Sequence, residues 1–199
     1  PRLSPIINDF IKYNGSTYFE LKRCYNMSLP AVDLGLMTEH LTAHEGVINK
    51  LELYQTKVIN ATLKEIIVSH TSVMRDHVRV MLALINPYLN EHLELTPINE
   101  YFRNFYMRIE KEENNNFQDK WISLDGHTTA KNMSNNNYVS ALMMQDPYVR
   151  NMHVNMAIQQ YEMLEIYSEF ITRMGWTYTP HASIQEQFNT FQHYEHILD

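Results

Sequence analysis

Apolar residues recur at helical spacing through most of the chain. Over 37–59, Leu41, Val47, Ile48, Leu51, Tyr54 and Val58 follow one another mostly at three- and four-residue steps. This spacing predicts a helix with one buried face. Over 63–84, Ile66, Ile67, Val73, Met74, Val78, Met81 and Leu82 predict a second. Thr62-Leu63-Lys64-Glu65 has capping-box spacing at its start, and Asn86-Pro87 ends it. With only Asn60 and Ala61 between them, the two helices read as antiparallel neighbours. The other arrangement is a single bent helix over 37–84.

The stretch 88–126 reads as an insertion. Within it, Thr96-Pro97 resembles an N-cap followed by a proline at the first helical position, with Ile98, Phe102, Phe105 and Ile109 as the stripe. Residues 110–116 are charged and Asn-rich, which predicts exposure, and Gly126 is expected to break any helix there. A weaker pattern follows over 127–145 through Ala130, Met133, Tyr138, Ala141, Leu142 and Met144. Over 147–174 the signals agree. Asp146 is a natural N-cap, Pro147 suits N1, and Val149, Met152, Met156, Met163, Tyr167, Phe170 and Met174 form the stripe. Gly175 fits the left-handed C′ position. A last helix begins at Ser183-Ile184-Gln185-Glu186, with Ile184, Phe188, Phe191 and Leu198 expected inward.

These elements predict an all-α fold: a ferritin-like four-helix bundle of two helical hairpins joined by one long connection. Residues 36–180 form the bundle, including the 88–126 insertion, and 181–199 the C-terminal helix. Residues 1–35 hold three prolines, two glycines and a strand-like run at Tyr18-Phe19-Glu20-Leu21. They read as an arm that packs on its own bundle or on a neighbouring subunit. The two halves are loosely alike, each offering a hairpin.

Charge and cysteine content narrow the function. Sixteen Lys and Arg against 23 Asp and Glu give a net charge of −7, which disfavours binding to phosphate backbones. No apolar run reaches the roughly 18 residues of a membrane span. Cys24 is the single cysteine, which excludes an internal disulfide and a Cys-based zinc cage and suggests synthesis in a reducing cytoplasm. The chain contains no GxGxxG, P-loop, GxSxG or HExxH motif.

Ferritin-like bundles that hold two metal ions use Glu-x-x-His on two helices, and the chain has no Glu-x-x-His. In Arg150-x-x-His153 a cation stands where the carboxylate would be, and Glu162 and Glu165 have no His at the required offset. Four other histidines cluster on the first hairpin. His40 and His44 share a helix face, as do His70 and His77, and an antiparallel register brings His44 to His77, with Asp76 nearby. His40, His44 and His77 are therefore the candidate ligands of one Zn²⁺. The same residues also read as half-exposed or internally hydrogen-bonded. His193 and His196 read as surface residues. The methionine stripe over 147–174 reads as core, and the many tyrosines outside the four long helices suit protein contacts. Nothing local supports a Ser-His-Asp centre.

Three segments then carry a resemblance. Asp146-Pro147-Tyr148-Val149-Arg150, Gln159-Gln160-Tyr161-Glu162, and the run from Phe170 through Met174-Gly175-Trp176-Thr177-Tyr178-Thr179-Pro180 resemble the coat F family of spore-forming Bacillota. The first hairpin, from His40-Leu41-Thr42-Ala43-His44-Glu45 onward, is similar to the first half of such proteins. The resemblance covers roughly 40–85 and 127–180. Two departures are Thr177, between Trp176 and Tyr178, and Gln145, where the family often has Glu. It implies a ferritin-like, non-enzymatic structural protein made in the mother-cell cytoplasm and deposited in the spore coat or an associated layer. Its partners would be further copies of itself and other coat proteins, with no nucleic acid, membrane or cofactor. The alternative is a metal-binding bundle using the first-hairpin histidines.

Overall fold

The computed structural model describes residues 28–89, 93–103 and 117–198. Among these, every regular element is helical: α1 Ala31–Gln55, α2 Ala61–Ile85, α3 Ile98–Tyr101, α4 Phe117–Met143, α5 Pro147–Arg173 and α6 Ile184–Tyr194, then a 3-10 turn at Glu195–Leu198. Cys24, the strand-like run at 18–21 and the stretch 104–116 lie outside the described residues.

The four long helices form the bundle. The bond from Gln55 to Thr71 near one end of the α1–α2 pair and the His44–His77 ring contact further along run the two helices antiparallel. Tyr54 bonds Asp125 while His40 bonds Asn137 and Ser140, so α1 also runs antiparallel to α4. α5 packs on α4 and α2. The order is therefore up, down, down, up, and the connection after α2 returns along the length of the bundle. Buried positions recur at alternating three- and four-residue steps, as in 63, 66, 70, 73, 77, 80 and 84 of α2. That seam suits nearly parallel helix packing.

Two buried carboxylates close the ends in matching ways. Asp33, at the third position of α1, accepts from the backbone N–H groups of Gln145 and Asp146 at 2.9 and 2.8 Å. Asp119, at the third position of α4, accepts from Ile59 and Asn60 at 3.1 and 2.8 Å. Each satisfies amides that the opposite hairpin's turn would otherwise leave unpaired. Asn60 and Asp146 in turn cap α2 and α5. Asp33 and Asp119 are 86 residues apart, and so are Asn60 and Asp146. The two hairpins are thus clamped and capped in the same way.

Several sequence expectations are corrected. α1 starts at Ala31, so residues 31–35 belong to the bundle and not to the arm. Pro30 occupies the N-cap, and exposed Gly35 is tolerated inside the helix. α1 also ends at Gln55 and not at 59, in a turn closed by Thr56 and Lys57 bonding back to Leu53 and Tyr54. The cap of α2 is Asn60, which accepts from Leu63 N at 3.0 Å, while Thr62 lies inside the helix. α4 begins ten residues before its expected start and runs through Gly126. That glycine is needed for close approach: a Cβ there would lie 2.6 Å from the Tyr167 ring. α3 is one short turn starting after Pro97. α6 does have its capping box, but Ile184, Phe188, Phe191 and Leu198 are exposed and not inward.

α5 has its expected ends. Asp146 accepts from Tyr148 and Val149, and Pro147 is N1. Gly175 has φ +70°, its N–H bonds Thr172 O, and Trp176 N–H bonds Ile171 O, which is a Schellman closure.

Candidate functional site

Two apolar clusters fill the bundle. One gathers Leu51, Ile66, Met163, Tyr167 and Phe170 with their neighbours. The other gathers Met37, Met81, Leu84, Met144 and Met156 with theirs. Between them, core positions on all four long helices are polar. α1 supplies His40 and His44, α2 His70 and His77, α4 Asn137 and Ser140, and α5 His153, Gln159 and Gln160, all buried.

Hydrogen bonds assign a proton to each ring. Asn137 donates its amide to Met133 O, which leaves its Oδ1 facing His40 Nδ1–H at 3.1 Å. Ser140 Oγ lies 2.8 Å from His40 Nε2 and donates to it. His40 is thus satisfied at both nitrogens. So is His70, which donates from Nε2 to Gln160 Oε1 at 3.0 Å and accepts from the Tyr167 hydroxyl at 3.3 Å. Gln160 completes that chain by donating to Met74 Sδ at 3.2 Å.

The other three histidines differ. His44 donates from Nδ1 to its own helix at His40 O, 2.7 Å away. His153 does the same to Val149 O at 3.0 Å. His77 donates from Nε2 to Gln159 Oε1 at 2.9 Å, and Gln159 is oriented by its own bond to Thr96 O. In each ring the proton is committed to a carbonyl or amide oxygen, so the other nitrogen carries a lone pair. Those atoms, His44 Nε2, His77 Nδ1 and His153 Nε2, are buried with no hydrogen-bond partner.

The rings are neighbours. Centroids are 5.7 Å apart for His44 and His77, 5.3 Å for His40 and His153, and 6.2 Å for His40 and His44. Burial, followed by repulsion from His77, lowers His44 to a pKa of about 3. Burial lowers His70, His77 and His153 to about 4 each. It also lowers His40. All five are neutral at pH 7. Among the described residues no group of three or more His, Cys, Asp or Glu is already arranged to hold a metal ion.

Of the sequence candidates, His44 and His77 come together, while both nitrogens of His40 are occupied by α4. His153 joins from α5. Its Arg150 does not oppose it directly, because that guanidinium donates to Met144 O and Gln145 O at the end of α4. Asp76 is engaged by Arg79 and Thr96 N. His193 and His196 are exposed. Glu162, on α5, is pushed up to about 7 by burial. Sequence reasoning discounted His153 beside Arg150 and gave Asn137, Gln159 and Gln160 no place in a site. The available signal was polar residues at positions in phase with the apolar seam.

Comparison with family models, with curated proteins and with solved structures finds no match to this chain.

Proposed function

We propose that this protein is a non-enzymatic structural component of a spore coat or spore-associated layer, built on a ferritin-like bundle and assembling with further copies of itself. The up-down-down-up order with one long crossover supports the ferritin-like reading. Several of the residues that resemble the coat F family support the structural one, because they have scaffold roles. Asp146 and Pro147 start α5, Arg150 satisfies carbonyls at the end of α4, and Gly175 and Trp176 close α5. Trp176 also packs edge-on against Phe170, with centroids 5.9 Å apart.

One observation carries the assembly reading. α6 is a well-capped amphipathic helix whose Ile184, Phe188 and Phe191 face solvent, with Ile197 and Leu198 exposed beyond it. An apolar ridge of that kind is a contact surface. The bundle adds a second exposed apolar strip at Tyr138, Val139, Leu142 and Met143 of α4. We assign the contacts to other copies of the chain, through these faces and the N-terminal arm.

Size-exclusion chromatography with light scattering, then negative-stain imaging, tests this. The full chain is expected to form a large ordered oligomer or polymer. Deleting 1–27 or 181–199 is expected to reduce it to small species with the bundle's helicity intact. A monomeric full chain, or a polymer unaffected by both deletions, overturns the assembly reading. Absence of the protein from extracted spore layers overturns the coat reading.

A further inference from the structure

We propose that His44, His77 and His153 are the ligands of one divalent transition-metal ion of the nitrogen-preferring class, such as Zn²⁺ or Co²⁺, bound between α1, α2 and α5. This goes beyond a scaffold role. It also differs from a site confined to the first hairpin, because His153 replaces His40.

The argument rests on where the protons and lone pairs lie. Metal-bound imidazoles almost always donate their second nitrogen to a carbonyl, carboxylate or water, which fixes the tautomer. All three rings already do so, through His40 O, Gln159 Oε1 and Val149 O. The nitrogen left over is in each case a buried lone pair with nothing to accept from. Native interiors seldom leave three such atoms in one layer. His40 and His70 serve as internal controls, because both belong to the same polar layer and both are satisfied at each nitrogen.

Spacing agrees. Two imidazoles on a tetrahedral ion with bonds of about 2.0–2.1 Å have ring centroids roughly 5 Å apart. The His44–His77 separation of 5.7 Å is near that value. His153 joins them beside His40, whose ring centroid lies 5.3 Å from that of His153 and 6.2 Å from that of His44. Gathering the three nitrogens onto one ion requires the rings to move, since among the described residues they do not yet form a metal-holding group.

The test is titration of chelator-treated, tag-free full-length protein with Co²⁺ and Zn²⁺. We expect one ion per chain, a visible cobalt ligand-field band, and a raised melting temperature with Zn²⁺. Nitrogen-15 NMR of the histidine side chains should show Zn²⁺ moving one nitrogen each of His44, His77 and His153 while His70 stays in place. His44→Gln and His153→Gln should weaken binding by about tenfold or more, whereas H193Q should not. The NMR measurement uses the unmodified chain, so it decides even if those variants misfold. No band and no shift would mean that the lone pairs meet only buried water, and the proposal fails. It fails equally if binding is lost in H193Q, which would place the ion at the surface. Neither failure bears on the oligomer measurements that test the structural role.

Discussion

The two hairpins share a frame and differ in what they place in it. Asp33 and Asn60 in the first correspond to Asp119 and Asp146 in the second at a constant offset of 86 residues, and they perform the same clamping and capping. The core chemistry does not repeat. The same offset from His40, His44, His70 and His77 arrives at Gly126, Ala130, Met156 and Met163. The first hairpin supplies four buried imidazoles. The second supplies one, His153, together with the amides and hydroxyl that receive them. Turn satisfaction constrains both hairpins alike, because any buried backbone amide needs a partner. The layer between the apolar clusters has no such general requirement, and there the two hairpins differ.

Acid should expose this difference most strongly. His44, His70, His77 and His153 are held near 3–4 in the fold, against an unfolded value of 6.5. Below pH 6.5 the unfolded chain takes up protons that the folded chain refuses. Stability is therefore complete above that pH and is lost as the pH falls toward the folded values. Each histidine contributes about 1.4 kcal/mol per pH unit, so the four together cost roughly 5 kcal/mol per unit over much of that window. Domains are stable by only about 5–15 kcal/mol, so unfolding is expected before pH 4. Urea denaturation at pH 7, 6 and 5, followed by circular dichroism, measures it. A flat response would show that the layer is hydrated and its histidines ordinary.

Gly126→Ala sharpens the comparison at a single position. Where the first hairpin has His40, the second has a glycine whose added Cβ would lie 2.6 Å from Tyr167 Cε1 and Cζ. Tyr167 is fully buried and bonded to His70, so it cannot swing aside without stranding that ring. Overpacking of a fixed core usually costs about 1–3 kcal/mol, and here we expect the upper end, about 3 kcal/mol. Thermal melts would read this as a fall of many degrees. Gly35→Ala, on the solvent face of α1 with open space around it, should raise stability slightly.

The frame was more legible in the sequence than the site. Asp146-Pro147, Gly175 and the Ser183–Glu186 box announced helix ends because capping chemistry is local. Gly126 misled because its reason is a tyrosine 41 residues away, which no local rule can see. Asp33 and Asp119 were invisible for the same cause, as their partners lie across the bundle. His44 and His77 were found by antiparallel register. His153 was discounted from its neighbour Arg150, whose side chain serves the preceding turn. The orientation of C-terminal Phe188 and Phe191 was misread because periodicity identifies an apolar face without identifying what covers it.

Asp33→Ala and Asp119→Ala offer the finest division between the hairpins. Each removes a carboxylate that accepts two backbone N–H groups of the opposite turn. Bonds to charged groups contribute about 1.5–3 kcal/mol, and some of the freed amides regain water at the bundle ends, so each variant should lose about 2 kcal/mol. If only the frame matters, the two losses match. Asp33 has a second effect, however, because its charge acts on His153 and Asp119 has no such role. Asp33→Ala should therefore also weaken Co²⁺ binding, while Asp119→Ala leaves it unchanged. Equal losses of stability with unequal cobalt affinities would separate the repeated scaffold from the unrepeated chemistry. Equal effects on both would confine Asp33 to the turn it closes.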